Sequence, residues 1–345
     1  MSEVPDIALV SLGTTPGLVH SDESFAELVR AAGATCEVVP VRIGGSGALR
    51  RQIAVTDMVE ALAARSSARD VEAHAIVYST ITAALLQRPE VPYAIRFDAT
   101  ASLNRRGLGG AWQRAAERRP LRAARLLVPV SHGAEEGLPD LGEEGPPVER
   151  IPIPIEEIPA APVRDIDAVA YAGYPRKRGL EVLCEAWAEA GPEGGRFLIG
   201  GLDREKGVAW LDRHRVDEPA GVEWAGQMER EEWLRLVAAA RVYVNASRWE
   251  DYGLGPLEAL SAGTPLVTVP TPGSFEALPM ARQLGAELVS DDLVSALRAG
   301  LALGEGERSA YAARAAELLV PYRREHVLEV VRERVLPALG IEPSS

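Results

Sequence analysis

The segment SRWEDYGLGPLEAL, residues 247–260, sets Glu250 and Glu258 eight positions apart, with Gly253, Gly255 and Pro256 between them. The apolar run before it, 242–245, reads as a strand, and the run after the glycines reads as a helix of residues 256–262. Pro256 suits the first helical position, where its missing N–H removes no hydrogen bond. Gly253 and Gly255 let backbone approach a ligand without a Cβ in the way. The amides of Leu254 and Gly255 then point outward from a positive helix end, a ready anion site that suits a diphosphate. Glu258 has two readings: an acid that complements the helix dipole, or an acceptor for ligand hydroxyls such as a ribose diol. Glu250 is either a solvated loop acid or a group facing the same ligand.

Such a turn needs a sheet behind it, and apolar strand-like runs alternate with helical patterns along the chain. Strands are expected at 7–12, 36–41, 75–78, 93–97 and 126–130, with helices between them, among them 23–32 and 49–64. The Pro-rich passage 151–162 reads as an extended connection. The rhythm then restarts with strands at 168–172, 196–199, 222–224, 242–245 and 266–269, and helices at 180–190, 230–239, 293–302, 309–319 and 325–339. The expected fold is α/β: two Rossmann-like doubly wound domains facing a cleft, with ligands at the carboxyl ends of the strands. Residues 1–155 form the first domain and 164–318 the second. Residues 319–345 carry a last helix that packs back on the first.

The motif has a family likeness. SRWEDYGLGPLEALSAGTPLV resembles the signature of retaining glycosyltransferases of family 4, which have the GT-B fold: an acid, seven residues, a second acid, then Gly263-Thr264-Pro265 before a strand. By that resemblance Glu250 lies by the transferred sugar and Glu258 holds the nucleotide ribose. Gly253, Leu254 and Gly255 contact the diphosphate. Residues 170–187, AYAGYPRKRGLEVLCEAW, resemble the family's first strand and helix of the nucleotide domain, which makes Lys177 and Arg178 the cations on the departing diphosphate. VEWAGQM, ending at Met228, resembles the segment beside the nucleobase. Gly17, in GTTPG after the first strand, meets the diphosphate from the opposite wall. The family often shows a His-Asp pair after a strand of the first domain. Here Phe97 stands in the histidine's place, and Asp98 keeps the acid's, on the acceptor side. His20 and His132 also follow strand ends. The resemblance is firm over 168–300 and weaker over 1–150.

The implied reaction moves a sugar from a nucleotide diphosphate sugar (UDP- or GDP-linked) to a hydroxyl of a small-molecule, glycan or lipid-linked acceptor, with retention. It requires no cofactor, and no Asp-x-Asp with a ligand cluster suggests a metal. The alternatives are a nucleotide-sugar binder without transfer activity and a GT-B sugar-nucleotide epimerase. A dinucleotide oxidoreductase is disfavoured, because Gly13-Thr14-Thr15-Pro16-Gly17 is not Gly-x-Gly-x-x-Gly.

Bulk properties agree. The 345 residues suit two domains of roughly 150–180 residues each. The net charge of −13 argues against nucleic acid as a partner. Two cysteines, Cys36 and Cys184, give no disulfide framework, and the start of the chain lacks a signal-peptide pattern. A cytoplasmic setting follows. Between Arg105 and Arg125 seven arginines accompany one acid, Glu117. That stretch reads as a helix from Trp112 onward: a solvated basic face, a peripheral contact with anionic membrane, or a reader of an anionic acceptor.

Overall fold

The computed structural model describes residues 4–42, 53–105, 107 and 110–343. The chain divides into two compact units, residues 1–154 with 324–345, and residues 155–323.

Unit 1 is built on five parallel strands: β1 (Ile7–Ser11), β2 (Cys36–Pro40), β3 (Ala75–Tyr78), β4 (Tyr93–Phe97) and β5 (Leu126–Pro129), in the order β2-β1-β3-β4-β5. β1, β3 and β5 are buried along their whole length, which is why they read as continuous apolar runs. The first helix, Pro16–Ala31, is longer than its apolar stripe: Thr15 caps it by accepting from the Leu18 amide, and Pro16 opens it. Phe25, Leu28, Val29 and Ala32 form its buried face. The helix Ile53–Ser67 covers the described part of the expected 49–64 segment; residues 49–52 lie outside the described residues. The end of the chain runs as a helix, Arg324–Val330, a π turn, Val331–Val335, and a short helix, Leu336–Ala338. Val327, Val331, Val335, Leu336 and Leu339 pack into the same core as Phe25 and Leu28.

Unit 2 repeats the plan with β6 (Ile166–Tyr171), β7 (Phe197–Gly200), β8 (Val222–Gly226), β9 (Ala240–Asn245) and β10 (Leu266–Thr268), all parallel, in the order β10-β9-β6-β7-β8. Both sheets therefore have a switch point, between β1 and β3 in unit 1 and between β6 and β9 in unit 2. Connections leave to opposite sides there, and the loops beyond the strand ends open a crevice.

Between Arg105 and Arg125 the chain forms two short helices, Ala111–Ala116 and Arg118–Ala123, not one. Arg106, within the same stretch, lies outside the described residues. The arginines also part ways. Arg105 turns inward onto Asp57, and Arg114 donates to the Arg105 and Gly107 carbonyls. Arg118, Arg119 and Arg122 are exposed. Among the described residues no helix is long and apolar enough to cross a membrane.

Candidate functional site

At the switch point of unit 2 three loops converge. The first follows β6. It makes one helical turn, Pro175–Arg178, and reverses at Gly179. Gly179 is left-handed (φ +63°), and a Cβ there would meet the Ala246 carbonyl oxygen at 2.4 Å. Only glycine permits this approach to the end of β9. The contact continues as the Arg248 amide donates to the Lys177 carbonyl at 2.8 Å.

The second loop, 246–253, follows β9. Its base is a buried polar chain: Ser247 Oγ donates to Asn245 Oδ1 (2.7 Å), and Asn245 Nδ2 donates to Thr268 Oγ1 (3.1 Å). Because the Ser247 hydroxyl proton is used, its lone pair accepts from Arg178 Nη1 at 3.1 Å. The third loop follows β10. Thr271 Oγ1 donates to the Ser247 carbonyl, and the Pro272 carbonyl accepts from the Glu250 amide at 3.0 Å. Gly273 (φ +114°) lies so close that a Cβ would sit 2.0 Å from the Glu250 carbonyl oxygen. Three strands thus hold one residue, Glu250.

Glu250 is not a solvated loop acid. It is 2% exposed, and its Oε1 is paired with Arg178 Nη1. A buried carboxylate requires such a partner. Its neighbour Lys177 pairs with Asp251 at 2.8 Å, with both side chains partly exposed. Asp251 also accepts from Trp249 Nε1 at 2.7 Å.

The helix begins at Leu254, two residues earlier than its pattern implied, and runs to Ser261. Pro256 is therefore the third helical residue. It still lies in the first turn, where amides have no partner within the helix. Gly253 is left-handed (φ +86°) and caps it. The two glycines are also fixed from behind: a Cβ on Gly253 would meet the Phe275 ring at 2.7 Å, and one on Gly255 would meet Tyr243 Oη at 2.7 Å.

Glu258 is the fifth helical residue, beyond the first turn, so the dipole-complementing reading loses its geometry. Its carboxylate is 6% exposed and paired with Arg230 Nη2 at 2.7 Å. Burial pushes the Glu258 carboxyl up, and the Arg230 charge opposes that. Arg230 also reaches Glu156, at 3.3 Å. Arg230 was not singled out from sequence: its partner lies 28 residues on, and only the fold joins them. Met228 is half-buried, two residues before Arg230, just past β8.

Unit 2 therefore gathers Lys177, Arg178, Glu250, Gly253, Leu254, Gly255 and Glu258 around one strand edge. Asp98 and Gly17 belong to unit 1. Asp98 directly follows β4 and lines a cavity there. Gly17 is the second residue of its helix, with nothing within 4 Å of a Cβ placed on it. Phe97, in the histidine's place, is 1% exposed and part of the core, so it takes no part in a site. His20 and His132 are exposed. Among the described residues no group of three or more His, Cys, Asp or Glu side chains could hold a metal ion.

Residues 166–319 match the family model described as glycosyl transferases group 1. By fold, the chain is similar to sucrose-phosphate synthase from Thermosynechococcus elongatus (16% identity, TM-score 0.62, covering 95% of this chain and 97% of that one). It is similar to HepE of Anabaena, solved with UDP and glucose (15% identity, TM-score 0.63, 96% and 99% covered). A third is trehalose-6-phosphate synthase, studied for glycosyl transfer with retention (14% identity, TM-score 0.67, 98% and 100% covered). No curated protein matches the chain by sequence. The two five-stranded parallel sheets with their covering helices have the GT-B architecture of these structures.

Proposed function

We propose that this chain, a glycosyltransferase of GT-B architecture, is a retaining family 4 enzyme that moves a sugar from a nucleotide diphosphate sugar to an acceptor hydroxyl. The observation that carries the reading is the pairing of Arg178 with Glu250 beside the helix that starts at Leu254. It sets a cation, a buried acid and the positive end of a helix at one strand edge.

In the reaction the bond between the sugar C1 and the diphosphate oxygen breaks, and the electron pair leaves with the diphosphate. The acceptor oxygen attacks C1 from the same face, and its proton passes to the departing phosphate oxygen. Arg178, Lys177 and the amides of Leu254 and Gly255 stabilise the charge on the leaving group. Lys177 gives up Asp251 to do so at little cost, since a partly exposed pair holds at most about 1 kcal/mol. Glu250, paired with Arg178, faces the positive charge that develops on the sugar ring. Glu258 accepts from the ribose hydroxyls, and the backbone near Met228 lies along the base. Asp98 and Gly17 contribute from unit 1.

UDP-sugars are the first donors to test, because HepE was solved with UDP and glucose. A thermal-shift panel of UDP-, GDP-, ADP- and TDP-sugars identifies the base, since a ligand bound only by the folded state raises the melting temperature. Product NMR then reads the anomeric configuration. An inverted product, or no stabilisation by any of the four donors, refutes the reading. Peripheral contact with anionic membrane through the exposed Arg118, Arg119 and Arg122 is a separate proposal. Co-sedimentation with anionic liposomes at low and moderate salt decides it.

A further inference from the structure

Arg230 joins segments that no local pattern connects. It is the first residue of the helix Arg230–Ala238. A cation there opposes the helix dipole, so its presence needs another cause. It does not pair with the acids of its own first turn, Glu231 and Glu232. It reaches out of the helix instead. Nη2 donates to Glu258 Oε1 at 2.7 Å, and Nη1 donates to Glu156 Oε2 at 3.3 Å. Glu156 is the second residue of unit 2. Ser261, which ends the helix of Glu258, closes the same corner by donating from Oγ to the Glu156 carbonyl at 2.6 Å.

Both members of the main pair keep unused capacity. The Arg230 guanidinium carries more N–H donors than the bonds to Glu258 and Glu156 take up. Its side chain is 41% exposed, so the remaining donors are open to a ligand. Glu258 is the complement. Its Oε1 is taken by Arg230, and among the described residues Oε2 accepts no hydrogen bond. A fixed carboxylate with an open oxygen thus stands against a guanidinium with open donors. That combination matches a vicinal diol, in which each hydroxyl can give one hydrogen bond and receive another. The chain order agrees: Met228, whose backbone is proposed to lie along the base, comes two residues before Arg230.

We infer that Arg230 is a specificity residue of the donor site: while Glu258 accepts from the ribose hydroxyls, Arg230 donates to the oxygen of one of them, so that unit 2 selects ribonucleotides over deoxyribonucleotides. The inference rests on the transfer reading, in which unit 2 binds the nucleotide. The selection follows from the hydrogen bonds, because a nucleotide lacking a hydroxyl leaves polar groups of the site unpaired once it covers them.

Calorimetric titration of the full chain tests it with UDP, GDP and ADP, each beside its 2′-deoxy and 3′-deoxy forms. The wild type should bind its preferred ribonucleotide at least about tenfold tighter than either deoxy form, the effect of one hydrogen bond to a charged group. Arg230→Met should weaken the ribonucleotide about tenfold, and one of the two deoxy penalties should fall below about threefold. That variant leaves the buried Glu258 carboxylate without its cation, so Arg230→Lys is the second variant. It keeps a charge beside Glu258 but not the planar fork, and should melt close to the wild type while losing the same penalty. Deoxy penalties unchanged in Arg230→Lys overturn the inference and leave Arg230 a countercharge only. A wild type that binds a ribonucleotide and its deoxy forms equally also overturns it, with the donor reading intact. If none of the three nucleotides binds the wild type, the donor reading falls and the inference falls with it.

Discussion

The two units hold buried acids beyond the strand ends by different means. In unit 2 acids and cations are matched: Arg178 with Glu250, Lys177 with Asp251, Arg230 with Glu258. In unit 1 Arg105 grips Asp57, while the buried Glu117 is held by the Ala101 amide. Matched pairs keep cations poised for a dianion, because a phosphate can replace a carboxylate at similar geometry. On the transfer reading proposed above, the matched side receives the anionic leaving group.

The matched side of this comparison breaks most visibly at Glu250 and Arg178. Glu250→Gln should lower kcat about 10²–10³-fold while nucleotide binding changes little, as expected for a group that acts on charge formed in the transition state. Steady-state kinetics with a separate UDP titration reads both. Arg178→Met should lose activity similarly and also strand the Glu250 carboxylate. Because Arg178 is a quarter exposed, the stability loss should be about 2–3 kcal/mol, below that of a fully buried pair. The double variant Arg178→Met with Glu250→Gln should recover most of that stability in urea titrations and none of the activity. Full stability in Arg178→Met alone would show that the pair is not what holds Glu250.

The unit 1 side breaks with pH. The Glu117 carboxyl is raised by burial from 4.5 to about 7. Its proton is held more tightly in the folded state than in the unfolded one, so folding takes up protons between those values. Stability must then fall as pH rises from about 4.5 to about 7, by at most about 3 kcal/mol, and level off above. Glu117→Gln keeps the shape and removes the titration. The difference between the wild type and the variant in urea midpoint should grow across that window. A difference that stays constant with pH would mean that Glu117 is ionised throughout.

How each side was read from sequence follows from distance along the chain. Glu250, Gly253, Gly255 and Glu258 lie within nine residues of each other, so their spacing carries the turn and the family likeness. Most of the ten strands were visible for a similar local reason, since buried parallel strands are unbroken apolar runs; the edge strands β2 and β8 are only partly buried, and Glu37 and Glu223 interrupt them. Arg230 and Gln113 were invisible: each meets its carboxylate 28 and 56 residues away, and nothing local marks them. The helix Arg204–His214 was missed because it is polar and carries Gly207 as its fourth residue. The fold explains that glycine, because a Cβ would strike the Trp224 ring at 2.2 Å. The start at Leu254 was displaced to Pro256 because proline is a strong helix-opening signal, whereas a glycine-capped first turn is set by its left-handed Gly253.

Glycines sharpen the comparison at smaller amplitude. Gly255→Ala places a methyl group where the Tyr243 hydroxyl sits, 2.7 Å away, and Tyr243 is buried beneath the helix. Overpacking of this kind should cost about 1–3 kcal/mol, read as a lower melting temperature whether or not donor is present. Full stability in that variant would mean that the helix start moves freely off Tyr243.

Gly17→Ala should behave oppositely. Nothing lies within 4 Å of its added methyl, and the residue is helical with ordinary φ. Removing glycine's freedom in the unfolded chain should therefore leave stability unchanged or raise it by up to about 1 kcal/mol. That makes the variant a clean probe of the role proposed for Gly17. If the donor diphosphate approaches this backbone, the methyl group should raise the donor KM several-fold in a protein that melts no lower than the wild type. If donor KM and melting temperature are both unaltered, Gly17 has no contact with the donor. Unit 1's proposed contribution would then narrow to Asp98, and the division of labour between the two units would be sharper than the family likeness implies.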